Sequence, residues 1–178
     1  MNTVTVHGKQ FVPYIDSAEI QHIVGGLASQ ISADYASGNL MVCPVLTGSF
    51  MFASDLLKAL TIRPEVSFVQ FRSYQGMNST GCVEALLDFS TSCQGRDVLV
   101  VEDIIDSGLS MKQIVSHLHT FNPASVAICT MLFKPQAFKF DYKIDYIGRS
   151  IPNDFILGYG MDYDGQGRTY QDIYIIKE

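Results

Sequence analysis

VLVVEDIIDSGLS, Val98–Ser110, is the stretch on which the fold turns. Val98–Val101 run apolar without alternation, as in a strand covered on both faces. Glu102 and Asp103 follow, where such a strand is expected to end, then Ile104, Ile105, a third acid at Asp106, and a Ser107-Gly108 turn. Beyond it the apolar period changes: Met111, Ile114, Val115, Leu118 and Phe121 share one helical face. The spacing predicts a buried strand, a tight loop and a helix start, the geometry of a phosphate site at the carboxyl edge of a parallel sheet. Backbone N–H groups of Asp106–Ser110, with Leu109 among them, can wrap a phosphate monoester, backed by the helix N-terminus. Gly108 lets the main chain approach closely, and the Ser107 and Ser110 hydroxyls can donate to phosphate oxygens. Glu102 and Asp103 point to opposite faces if the strand continues. As acceptors only, they suit ribose hydroxyls, directly or through Mg2+. The chain has neither a Gly-Lys-Ser/Thr phosphate loop nor a GxGxxG after a strand, which disfavours a nucleoside triphosphatase or a dinucleotide enzyme.

Working outward, strands and helices alternate. Asp16 and Glu19 form a capping-box-like pair before a stripe of Ile20, Ile23, Val24, Leu27 and Ile31, with Gly38-Asn39 as the stop. Met41–Leu46 reads as a strand, and Thr47-Gly48-Ser49 turns into a helix from Phe50 to about Leu60. Strands are expected at Glu65–Phe71, Cys82–Phe89, Ala124–Phe133, Lys143–Gly148 and Ile173–Ile176, and Asn122-Pro123 ends the helix after the central loop. This order implies an α/β fold around a largely parallel sheet with right-handed crossovers. The 178 residues suit one domain, 1–178, with a sizeable core.

Composition narrows the class. At 47% hydrophobic and 17% charged, the chain is globular. Its apolar runs fall short of a membrane span, and MNTVTVHGKQ lacks a signal-peptide core. Cys43, Cys82, Cys93 and Cys129 show no CxxC spacing, so free thiols and a cytoplasmic setting are expected. A net charge of −6 argues against nucleic acid and is compatible with a local anion site. His117 and His119 do not share a helix face, which argues against a metal pair.

The pattern of Val98–Ser110 resembles the phosphoribosyl-pyrophosphate motif of type I phosphoribosyltransferases: hydrophobic strand, two acids, two hydrophobic residues, Asp, Ser/Thr-Gly, then Ser/Thr. With the tail DFILGYGMDYDGQGR, Asp154–Arg168, the chain looks like the hypoxanthine phosphoribosyltransferase family of purine salvage, over about Met41 to the end. The resemblance implies a small hood formed by terminal segments and a mobile lid loop above the sheet. It implies Mg2+ as cofactor, held by Glu102, Asp103 and Asp162. It implies phosphoribosyl pyrophosphate and a 6-oxopurine as substrates, with no nucleic acid or membrane partner, and a homodimer or homotetramer.

Other segments read two ways. Val45–Ser49 is a Ser/Thr-capped helix start; it also resembles the family's pyrophosphate loop, Leu46, Thr47 and Gly48, which often carries a non-proline cis peptide, here Leu46-Thr47. The family commonly has Lys or Arg where this chain has Thr47, so pyrophosphate charge would fall to Mg2+, main-chain donors and Arg168. Ser73-Tyr74 opens either a plain hairpin or the family's lid, which keeps water from an activated ribose. Lys134 is a solvated strand-end lysine or the family's donor to the purine 6-oxygen. Phe155 is a core aromatic or the family's stacking residue, with main-chain groups at Ile156, Met161 and Asp162 reading the base edge. Ile104 and Ile105 are expected near the base. Asp164 and the glycines flanking Gln166 look like ordinary loop residues.

The implied reaction is attack of purine N9 on C1 of the ribose with loss of pyrophosphate, giving IMP or GMP. Asp106 is expected to act on N7 as the catalytic acid–base group, while Glu102 and Asp103 hold the ribose. Two rivals remain at this level. One is a phosphoribosyltransferase preferring xanthine or guanine. The other is a non-catalytic regulator that senses phosphoribosyl pyrophosphate, for which a basic surface would be expected.

Overall fold

The computed structural model describes residues 2–73, 83–89 and 91–177. It opens with an antiparallel hairpin, β1 (Val4–Val6) and β2 (Lys9–Ile15). Helix α1 (Ser17–Asp34) starts at Asp16, whose carboxylate accepts from the Glu19 N–H at 2.8 Å. That bond satisfies one of the orphan donors of the first turn. Next come β3 (Leu40–Leu46), α2 (Phe50–Ala59), β4 (Glu65–Val66) and β5 (Val69–Ser73). β6 (Val83–Leu87) and β7 (Asp97–Ile105) lead into α3 (Leu109–Leu118), whose last turn tightens into a 3-10 helix at His119–Phe121. β8 (Ser125–Phe133), β9 (Tyr146–Ser150), β10 (Ile156–Leu157) and β11 (Ile173–Ile176) complete the chain.

The main sheet runs β6-β5-β3-β7-β8-β9, with β4 also on β3. Its pairings are parallel except β5 with β6. β7 shows why an unbroken apolar run belongs at the centre. Leu99 and Val101 pack with α1 and α2, whereas Val98 and Val100 pack with Met111, Ile114 and Leu118 of α3. Both faces are covered, so no polar alternation is tolerated.

A second sheet, β1-β2-β11-β10, is antiparallel and joins the two ends of the chain around Val6, Phe11, Leu157 and Tyr174. This is the hood. The resemblance implied it, but β1 and β2 were not read from the sequence.

Several expected boundaries shift, and β7 runs on through Glu102 and Asp103, where its end was expected, to Ile105. Glu65–Phe71 divides into β4 and β5, which pair successively with Met41–Val42 and Val45–Leu46 of β3; at the joint the Ser67 N–H donates to the Val42 carbonyl. The strand expected at Lys143–Gly148 begins instead at Tyr146, because Asp145 meets Ile128 through both its backbone N–H and its carboxylate before the ladder starts. α1 stops at Asp34, and Gly38 (φ +79) serves the turn that follows. Cys43, Cys93 and Cys129 are buried free thiols, and no described helix is long and apolar enough to cross a membrane.

Candidate active site

β7 extends through Ile105, so Glu102 and Asp103 lie within the strand and alternate across it. Glu102 and Ile104 face a cavity of about 120 Å³, lined further by Ile105, Asp106, Ser107, Gly108, Leu109, Ser110 and Met111. The central motif thus encloses one concave space at the start of α3. Gly108 adopts φ +82 there and is the N-cap of the helix. Its lack of a side chain serves the far side of the loop as well: a Cβ would lie 2.5 Å from the Phe138 ring and 2.7 Å from the Tyr142 hydroxyl oxygen.

Asp103 turns to the other face. A Cβ on Gly48 would sit 2.0 Å from an Asp103 carboxylate oxygen, and one on Gly160 would sit 2.0 Å from the Gly48 carbonyl oxygen. Two glycines therefore let β7, the loop after β3 and the tail close on one another. The Leu46–Thr47 peptide bond in this loop is cis, as the resemblance implied, and Thr47 is exposed. Ser49 is buried, with its hydroxyl donating to the Val45 carbonyl at 2.7 Å, so it serves the turn.

Arg168 reaches the same place. It donates to the Gly160 carbonyl at 2.7 Å and pairs with Asp162, also at 2.7 Å. Asp162 further accepts from the Gly165 N–H. The glycine beyond Gln166 is not an ordinary loop residue: Gly167 has φ +94, and a Cβ there would fall 2.3 Å from Leu157. Asp164 (φ +47) and Gly165 (φ +83) make the tight turn before it.

Lys134 directly follows β8 and is buried to 7% exposure, unlike an ordinary strand-end lysine. Its ammonium lies 2.9 Å from the Asp106 carboxylate, which is largely open to solvent. The residue expected to read the 6-oxygen and the residue expected to act on N7 are therefore adjacent. Phe155 is 42% exposed on the hood, edge-on to Tyr163 at 5.4 Å and tilted against Phe11 at 6.2 Å, while Ile156 is buried in β10. Of the expected lid pair, Ser73 ends β5, and Tyr74 lies outside the described residues.

The electrostatics suit a cation. Burial, then the adjacent Asp103 charge, push the Glu102 carboxyl well above its usual value. Burial also raises Asp103, against hydrogen bonds and the Arg168 charge, which pull it down. Adjacent, part-buried carboxylates are hard oxygen donors that a divalent ion would stabilise as anions. The expected three-residue set is not one cluster, however. Among the described residues no three His, Cys, Asp or Glu side chains converge, and Asp162 is engaged by Arg168. Binding through one or two carboxylates, with substrate phosphates supplying the rest, is how Mg2+ is ordinarily held.

Some parts of the site carried no sequence signal that we read. Tyr142 and Phe138 buttress Gly108 from an irregular segment. Asp55 of α2 accepts from Tyr159 at 2.9 Å and from Gln21 at 2.8 Å, fixing the residue next to Gly160. The density of glycines in GYGMDYDGQG was the available hint.

Comparison with known proteins gives a consistent result. Residues 16–164 match the family model described as phosphoribosyl transferase domain. The hypoxanthine phosphoribosyltransferase of Salmonella typhimurium is 42% identical over 152 residues, covering 84% of this chain and 85% of that protein. The hypoxanthine-guanine-xanthine phosphoribosyltransferase of Tritrichomonas foetus is 40% identical over 161 residues, covering 90% and 88%. A crystal structure of a hypoxanthine-guanine phosphoribosyltransferase from Bacillus anthracis superposes with a TM-score of 0.88 at 35% identity, covering 93% of this chain and 98% of that one.

Proposed function

The chain belongs to the phosphoribosyl transferase domain family, and on that premise we propose that residues 1–178, as one domain, salvage 6-oxopurines. The 5-phosphoribosyl group passes from phosphoribosyl pyrophosphate to N9 of hypoxanthine, and of guanine where it fits, giving IMP or GMP and pyrophosphate. The observation that carries this reading is the Lys134–Asp106 pair at 2.9 Å on the rim of the phosphate cavity. It sets a hydrogen-bond donor and a proton acceptor side by side where a purine would lie above a bound phosphoribosyl group.

The geometry supports a role for each residue. The loop Asp106–Ser110 holds the 5′-phosphate on main-chain N–H groups and the Ser107 and Ser110 hydroxyls. Glu102 and Asp103 hold the ribose hydroxyls, and their charge favours the cationic ribose of the transition state. Lys134 has three donors; one serves Asp106, leaving others for the purine 6-oxygen. Phe155 offers an open ring face for stacking, with Ile156 below it. As N9 bonds to C1, the C1–O bond to pyrophosphate breaks and its electron pair leaves with the pyrophosphate. Asp106 takes the N7 proton. Arg168, with the Leu46–Gly48 loop, receives the leaving group in place of a basic residue at Thr47. Mg2+ is the expected cofactor; Glu102 and Asp103 would hold it together with substrate oxygens, and when bound it neutralises the leaving pyrophosphate. A lid from Ser73-Tyr74, a homodimer or homotetramer and a cytoplasmic setting belong to the same reading.

The test is an absorbance assay with phosphoribosyl pyrophosphate, Mg2+ and each of hypoxanthine, guanine, xanthine, adenine and uracil. Turnover of hypoxanthine, with or without guanine, is expected. Binding of phosphoribosyl pyrophosphate without turnover of any base would overturn catalysis in favour of a sensor.

A further inference from the structure

Behind the phosphate loop the crossover from β8 to β9 is an irregular segment, residues 134–145, where a helix would be usual in such a sheet. Three of its groups grip the loop from outside. The Lys139 N–H donates to the Ser107 carbonyl at 3.1 Å. The Tyr142 hydroxyl donates to the Gly108 carbonyl at 2.8 Å. The Phe138 ring occupies the space that a Gly108 side chain would need and meets Tyr142 edge-on at 5.0 Å.

In a trans peptide, C=O and N–H point in opposite directions. Leu46–Thr47 is the only cis bond among the described residues, so the 107–108 and 108–109 units are trans. Holding the Ser107 and Gly108 carbonyls outward therefore turns the Gly108 and Leu109 N–H groups inward, toward the cavity that both residues line, where the Leu109 N–H rests on the Ser107 hydroxyl at 3.4 Å. We propose that Tyr142 is a positioning residue for phosphoribosyl binding, with its hydroxyl clamping the Gly108 carbonyl so that the Leu109 N–H is presented to the 5′-phosphate. This rests on the phosphoribosyltransferase reading above and adds to it a residue outside the substrate cavity.

One feature favours a clamp over simple packing: Tyr142 borders a cavity of about 440 Å³ shared with Lys112, Val115 and Ile128. The ring thus has room to shift once its hydroxyl has no partner. Lys112 keeps its own bond to the Gly108 carbonyl at 3.0 Å, so α3 survives loss of the phenol.

The test is Tyr142→Phe, which keeps the ring and removes the donor. Calorimetric titration with phosphoribosyl pyrophosphate and Mg2+ should show binding weakened about five- to tenfold, the contribution of one neutral hydrogen bond. The KM for phosphoribosyl pyrophosphate should rise by the same factor, with kcat and the KM for hypoxanthine within twofold of wild type. Unchanged binding, or equal changes in every kinetic constant, would overturn the proposal. A measurement on the wild type is independent of how the variant folds: bound phosphoribosyl pyrophosphate should protect the Gly108 and Leu109 amides from hydrogen exchange. Absence of that protection would also overturn it. Failure of the wild type to bind phosphoribosyl pyrophosphate at all would instead remove the proposed function beneath it.

Discussion

Asp106 and Lys134 make the sharpest predictions at the residue scale because they act as a pair. Asp106→Asn keeps the shape and a partner for Lys134 while removing the proton acceptor, so kcat should fall about 10²–10⁴-fold with folding kept. Circular dichroism alongside the assay checks both parts; turnover within a few-fold of wild type would remove Asp106 from this role. Gly108→Ala is a different kind of lesion. It combines φ +82 with a 2.5 Å approach to Phe138. Backbone strain of this kind costs about 1–3 kcal/mol, and thermal melting should show at least that loss together with weakened binding of phosphoribosyl pyrophosphate. The sequence announced Asp106 and Gly108 through the spacing of one motif. It was silent on what Gly108 accommodates, because Phe138 and Tyr142 belong to an irregular segment with no periodicity to read. Lys134 was legible only through resemblance, since a lone lysine at a strand end is ordinarily solvated.

Among the elements, α2 connects the sheet to the tail through Asp55. Burial acts to raise this carboxyl, but hydrogen bonds from Lys58, Tyr159 and Gln21 outweigh it and hold the group below its usual value. A depressed carboxyl contributes stability above its unfolded value, about 3.9; that stability is lost as pH falls through the folded value. Asp55→Asn should therefore cost about 1.5–3 kcal/mol at neutral pH, the scale of hydrogen bonds to a charged group. The gap to wild type should close as pH drops below about 4. Melting curves from pH 7 to pH 3 decide it, and a constant gap would mean that the charge is not responsible. Element boundaries were most legible where one physical signal dominated, as at the Asp16 cap and at the start of β7; its end was not, because the two acids read as a strand end and the ladder continues past them to Ile105. β2 escaped the sequence reading because its pattern is broken. Pro13 interrupts KQFVPYI and lacks an N–H, and the pairing of β2 with β11 shifts register between Ile173 and Tyr174, where Tyr174 faces Pro13.

At the scale of the whole molecule, the main sheet carries the loop proposed to hold phosphate, and the hood supplies the wall that bears Phe155. Phe11 is fully buried at the centre of the hood, against Phe155 and Tyr163. Phe11→Ala should cost about 3–5 kcal/mol and raise the KM for hypoxanthine more than that for phosphoribosyl pyrophosphate. Chemical denaturation and steady-state kinetics test the two halves, and equal rises in both KM values would show that the hood does not act chiefly on the base. The parallel sheet was legible because its alternation of elements is local in sequence. The pairing that closes the hood was not, because β2 and β11 meet across almost the full length of the chain, from Phe11 to Ile176. That long span also fixes an order of assembly on the ribosome. All strands of the main sheet have been synthesised once Ser150 is made, so the phosphate loop can be in place while the tail is still in the exit tunnel. The base wall waits for β11, and a nascent chain would acquire its grip on the sugar phosphate before it has any means of choosing a purine.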